Sequence, residues 1–136
     1  MRVVIDTNVF ISSFWGGKPG EIIKLWQMGQ LTLCLSPEII DEYLELFQRK
    51  NIHQTTECVH LMGLFARQIN MVFVADPPKL YVIDDDPDDN KFIECAVALD
   101  AKIIISGDKH LLKLKRYVDI DIFSPHNFLE INNAKA

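Results

Sequence analysis

The sequence predicts an α/β fold built on a mainly parallel sheet of about five strands. Short runs of β-branched and aliphatic residues alternate with longer segments whose apolar residues recur at helical spacing, the pattern of strand–helix–strand crossovers. Two of those runs break off directly into acidic or small polar residues, at Asp6 and at Ser106-Gly107-Asp108. Size agrees: 136 residues, 49% hydrophobic and 24% charged, suit one domain over 1–136 and exclude a disordered or low-complexity chain.

The elements follow in order. Residues 2–5 (Arg-Val-Val-Ile) read as a buried strand that ends in the polar loop Asp6-Thr7-Asn8. Gly16-Gly17 marks a loop and Pro19 suits a first helical position. Ile22, Ile23, Leu25 and Trp26 then repeat at helical spacing until Gly29. Residues 31–35 (Leu-Thr-Leu-Cys-Leu) form a second strand, and Ser36-Pro37-Glu38 is an N-cap with proline at the first turn of a helix over about 37–50. A helical segment over 53–69 and a third strand at 70–75 precede Pro77-Pro78, which forces an extended loop. A helix over 89–99 leads to a strand at 102–105. A short helix at 108–114, a last strand near 119–123 and a closing helix capped by Ser124-Pro125 complete the chain.

Charge is unevenly spread. Fourteen Lys and Arg against 19 Asp and Glu leave a net charge of −5, which by itself argues against a nucleic-acid binder. Yet five aspartates fall within residues 84–89, whereas residues 102–116 carry five Lys or Arg against one Asp. The three cysteines, Cys34, Cys58 and Cys95, are odd in number and widely spaced, so buried free thiols are expected in place of a disulfide framework or zinc site. No apolar run approaches the length of a membrane span, and the N-terminus lacks the pattern of a signal peptide. The expectation is a cytoplasmic protein with no membrane partner.

In a parallel sheet the strand C-termini share one edge, so Asp6 and Asp108 are expected together there. On a helical wheel for 89–99, Asp89 falls near the middle of the apolar arc of Phe92, Ile93, Cys95, Ala96, Val97 and Leu99, where an ionised group needs a partner or a metal. Its alternative role is an N-cap or first-turn acid favoured by the helix dipole. Glu42 lies at the border of the apolar face of the 37–50 helix. Converging carboxylates repel, and a divalent cation resolves that repulsion. Oxygen-only ligation points to Mg²⁺ or Mn²⁺, ions suited to phosphoryl chemistry. Lys109, His110, Lys113, Lys115 and Arg116 follow Asp108 and are candidates for phosphate contacts, though a solvated helix face looks the same.

Four segments together carry a resemblance: Val3-Val4-Ile5-Asp6-Thr7-Asn8-Val9, Ser36-Pro37-Glu38-Ile39-Ile40-Asp41-Glu42-Tyr43, Asp85-Asp86-Pro87-Asp88-Asp89-Asn90-Lys91-Phe92 and Ser106-Gly107-Asp108-Lys109-His110-Leu111-Leu112. In this order and spacing the chain resembles the PIN-domain family of nucleases, and within it the toxins of prokaryotic toxin–antitoxin pairs. The resemblance implies an α/β/α sandwich and a Mg²⁺- or Mn²⁺-dependent endonuclease, usually acting on RNA. It places the family's acids on Asp6, Glu42, Asp89 and Asp108, with Asp86 a rival or auxiliary to Asp89 and Asn8 as a site-organising polar residue. A cognate antitoxin and a homodimer are partners implied in the same way. Two other classes compete: a catalytically inactive PIN-like module that binds nucleic acid or protein, and a receiver-like signalling domain, which lacks its expected acidic pair near the first strand.

Overall fold

The computed structural model describes residues 1–134. Six strands form one sheet: β1 (Arg2–Ile5), β2 (Thr32–Leu35), β3 (Met71–Phe73), β4 (Ile103–Ile105), β5 (Arg116–Tyr117) and β6 (Ile120–Phe123). Their order is β3-β2-β1-β4-β6-β5, and every pairing is parallel except β5 with β6. Among the described residues seven α-helices flank the sheet: α1 (Thr7–Ser12), α2 (Gly17–Gln27), α3 (Pro37–Arg49), α4 (Thr56–Ala66), α5 (Asn90–Ala98), α6 (Lys109–Leu114) and α7 (Pro125–Ala134).

The α/β class and parallel sheet are as expected, and the strand count is six against about five. The extra strand, β5, is two residues long and exists by pairing with β6, so no local pattern announces it. Residues 7–12 form α1 where a loop was expected. The Asx-type geometry is nonetheless there, since Asp6 is the N-cap and accepts a hydrogen bond from the Asn8 amide at 3.0 Å. Cap and turn begin alike, and burial of Val9, Phe10 and Ile11 continues the chain as a helix. The second helix starts at Gly17, two residues before Pro19, and the helix expected over 53–69 is trimmed to Thr56–Ala66. Ser36 caps α3 through the Ile39 amide, with Pro37 in the first turn.

The core has two functions for the site. Phe10 stacks on Tyr43 with centroids 4.5 Å apart, and both meet Phe65, seating α1 against α3 and α4. The buried Tyr43 hydroxyl donates to the Ile5 carbonyl at 2.5 Å, pinning α3 to the end of β1. That bond sets the rotation of α3 and so the direction of Glu42, one residue earlier. All three cysteines are free and buried, and none of the described helices is long and apolar enough to cross a membrane.

Candidate metal centre

The chain winds from β1 through β2 to β3 on one side of β1, then places β4 on its other side. The crevice beyond the C-termini of β1 and β4 is therefore a topological switch point, where folds of this class bind ligands. Ile5 lies beside Ile105, and the Asp6 amide donates to the Ile105 carbonyl at 2.9 Å. Asp6 and Ser106 thus emerge side by side. The buried Ser106 hydroxyl donates to Asp6 Oδ2 at 2.5 Å and accepts from the Asp108 amide at 2.9 Å, so one serine fixes both acids. Asp108 in turn caps α6, its Oδ1 accepting from the His110 and Leu111 amides at 2.8 and 3.4 Å.

A cleft of about 420 Å³ opens here, lined by seven carboxylates: Asp6, Glu42, Glu45, Asp86, Asp88, Asp89 and Asp108. Asn8 and Arg49 share its wall. One carboxylate oxygen each from Asp86, Asp89 and Asp108 lies within 4.8 Å of the others. Both residues weighed for the third acid, Asp86 and Asp89, therefore face the same point. Asp6 and Glu42 line the cleft without belonging to that closest group.

Asp89 is the decisive member. It occupies the N-cap position of α5, yet its side chain makes no cap hydrogen bond. The group is 8% exposed and its Oδ2 is buried with no partner among the described residues. Burial, reinforced by the charges of Asp108 and Asp86, pushes its carboxyl up to about 8. Burial likewise raises Asp6, against the hydrogen bonds from Ser106 and Asn8 that favour its ionised form. A hard divalent cation among these oxygens would supply the missing partner of Asp89 and relieve the repulsion, and an all-oxygen donor set of this kind fits an ion such as Mg²⁺ or Mn²⁺.

A family model described as the PIN domain matches residues 2–110. The chain belongs to the PIN-domain family. It is also 32% identical to an uncharacterized protein of Methanocaldococcus jannaschii over 98% of this chain and 82% of that one. PIN domains are generally nucleases, and the acidic cluster is compatible with metal binding.

The basic candidates of this PIN domain are dispersed. Lys109 lines a shallow depression with Asn8 and Asp108, both of which also line the acidic cleft. His110 Nδ1 stands 3.9 Å from Asp85 Oδ2 at the loop. Lys113 and Lys115 are exposed. Arg116 faces away from the site: in β5 it pairs with Asp121, which lies beside Ile103, at the opposite end of β4 from Ser106.

Three residues that hold the site's acids escaped sequence reasoning: Ser106, Thr7 and Lys91. Thr7 is buried and its hydroxyl donates to Glu42 Oε1. Lys91, also buried, forms ion pairs with Glu42 Oε2 and, at 2.8 Å, with Asp88 Oδ2. Burial works to lower the Lys91 ammonium, but its bonds to Asp88 and Glu42 outweigh that and hold it above the usual range, while Asp88 is held below its own. The available signal was Lys91 three residues after Asp88, at the spacing of an i,i+3 ion pair.

Proposed function

We propose that this PIN domain is a metal-dependent endoribonuclease, hydrolysing RNA phosphodiester bonds with Mg²⁺ or Mn²⁺, and that it is the toxin of a toxin–antitoxin pair. The observation that carries the reading is the buried Asp89 side chain, one oxygen of which has no partner among the described residues, facing Asp86 and Asp108. Those three would hold the cation, and Asp6, fixed by Ser106, adds negative charge beside them. When bound, such an ion polarises a phosphoryl oxygen and lowers the pKa of a bound water. Asn8 and Asp108 belong to both the cleft and the depression containing Lys109, so an RNA strand crossing the site would meet a lysine next to the carboxylates. Glu42, held by Thr7 and Lys91, closes the other side.

The toxin assignment rests on the four motifs and brings with it a cognate antitoxin, a homodimer and a cytoplasmic setting. The test is cleavage of an end-labelled single-stranded RNA with Mg²⁺, Mn²⁺ or EDTA, with single-stranded DNA in parallel. Internal cuts in RNA that need the cation are expected. Intact RNA under all metal conditions would contradict the nuclease reading and leave a binding module.

A further inference from the structure

Seven carboxylates line the cleft, and Arg49 is the one cation among its described lining residues. Arg49 is engaged by Glu45 on the same helix. Six carboxylates therefore remain to be balanced, and they fall into two sets. Asp86, Asp89 and Asp108 converge, with one buried oxygen unpartnered and Asp6 adjoining. Glu42 has both oxygens occupied, by Thr7 and Lys91, and Lys91 also takes Asp88.

We propose that Lys91 is a built-in second cation, whose ammonium offsets one of the two negative charges of the Glu42–Asp88 half of the cleft and leaves this PIN domain one divalent-ion subsite, on Asp86, Asp89 and Asp108. The inference rests on the cation-dependent reading above. The Lys91 side chain is 9% exposed, and a buried ammonium is retained only when paired. Both of its partners are walls of the cleft, although Lys91 itself does not line it. It reaches Glu42 and Asp88 from a neighbouring depression, which it lines with Asp88, Asn90 and Glu94. Glu42, Asp88 and Lys91 sum to one negative charge, against four on Asp6, Asp86, Asp89 and Asp108 when all are ionised. A divalent ion would therefore find its ligands on Asp86, Asp89 and Asp108 and meet a fixed positive charge at Glu42 and Asp88. Lys91 is a positioning residue: it acts through Glu42 and Asp88 and touches neither ion nor substrate.

The experiment is a Mn²⁺ titration of the full chain at pH 8, followed by electron paramagnetic resonance and calorimetry, for wild type and Lys91→Met, with a thermal melt of each. Wild type is expected to bind one Mn²⁺ with the signal of an isolated ion. Folded Lys91→Met is expected to bind a second, with a broadened, spin-coupled signal. Two ions in wild type would overturn the proposal and leave the nuclease reading intact; no ion in wild type would overturn both. One ion in folded Lys91→Met would reduce the lysine to a brace and overturn it as well. If Lys91→Met fails to fold, Glu42→Gln decides. A loss of Mn²⁺ affinity below about fivefold supports the proposal, and a larger loss marks Glu42 as a direct ligand and overturns it.

Discussion

At the scale of single residues, Asp89 concentrates the electrostatic tension of the site, and its sign can be followed through pH. Its carboxyl, near 3.8 in an unfolded chain, is raised to about 8 in the metal-free fold. Between those values the folded state holds a proton that the unfolded state has released, so metal-free stability falls as pH rises from about 4 towards 8. Asp89→Asn should flatten that slope and melt higher than wild type at pH 8 without metal, as read by melts across pH in EDTA. Because proton and cation compete for the same oxygens, the apparent Mn²⁺ affinity of wild type should climb with pH, by up to about tenfold per unit, until it levels near pH 8. Asp89 was legible in the sequence because a helical wheel places it on an apolar arc. Lys91 was not, because a lysine beside Phe92 reads as solvated, and only the fold brings Glu42 from α3 within its reach.

At the scale of elements, the acidic loop is held by α5. Residues 80–83 have no regular structure, yet Asn90 Oδ1 accepts from the Val82 and Ile83 amides at 3.1 and 2.9 Å and its Nδ2 donates to the Ile83 carbonyl at 3.2 Å. Glu94 takes the Leu80 amide at 2.9 Å. These side chains stand in for a neighbouring strand. Asn90→Ala strands two partly buried amides and should cost about 2–4 kcal/mol in urea melts while weakening Mn²⁺ binding through the loosened Asp86 and Asp89. The basic residues begin on α6 and run on into β5, and their positions divide them. Lys109→Ala should lower the salt slope of RNA binding by about 1, whereas Arg116→Ala, at the far end of the sheet, should leave it unchanged. An unchanged slope for Lys109→Ala would make that lysine solvated surface. The sequence showed a run of basic residues but could not divide it, because the reversal at β5 that turns Arg116 away depends on pairing with β6. The Ser36-Pro37 cap was readable because capping needs only local contacts.

At the scale of the whole molecule, a net charge of −5 is compatible with the proposed nuclease chemistry because seven of the 19 acids line one crevice, where a cation would offset them. The alternation of strands and helices was enough to foresee that Asp6 and Asp108 would meet at one sheet edge, since parallel strands share their C-terminal side. It could not foresee the strand order that makes β1 and β4 neighbours and so brings Ser106 against Asp6. Cation binding to the fold alone should stabilise it by about 2.7 kcal/mol at a Mn²⁺ concentration 100-fold above Kd, a rise of roughly 10 °C in Tm that EDTA reverses. The central claim, that the carboxylates of this crevice carry cation-dependent RNA cleavage, meets its most direct test in Asp6→Asn. Asn keeps the shape and can still accept the Asn8 amide that starts α1, so the fold should survive, with a melting temperature in EDTA at or above that of wild type because a buried charge is gone. The measurement is Mn²⁺-dependent cleavage of single-stranded RNA by both proteins. A loss of roughly 10–100-fold or more in the folded variant is the predicted result, and wild-type cleavage by it would contradict the account.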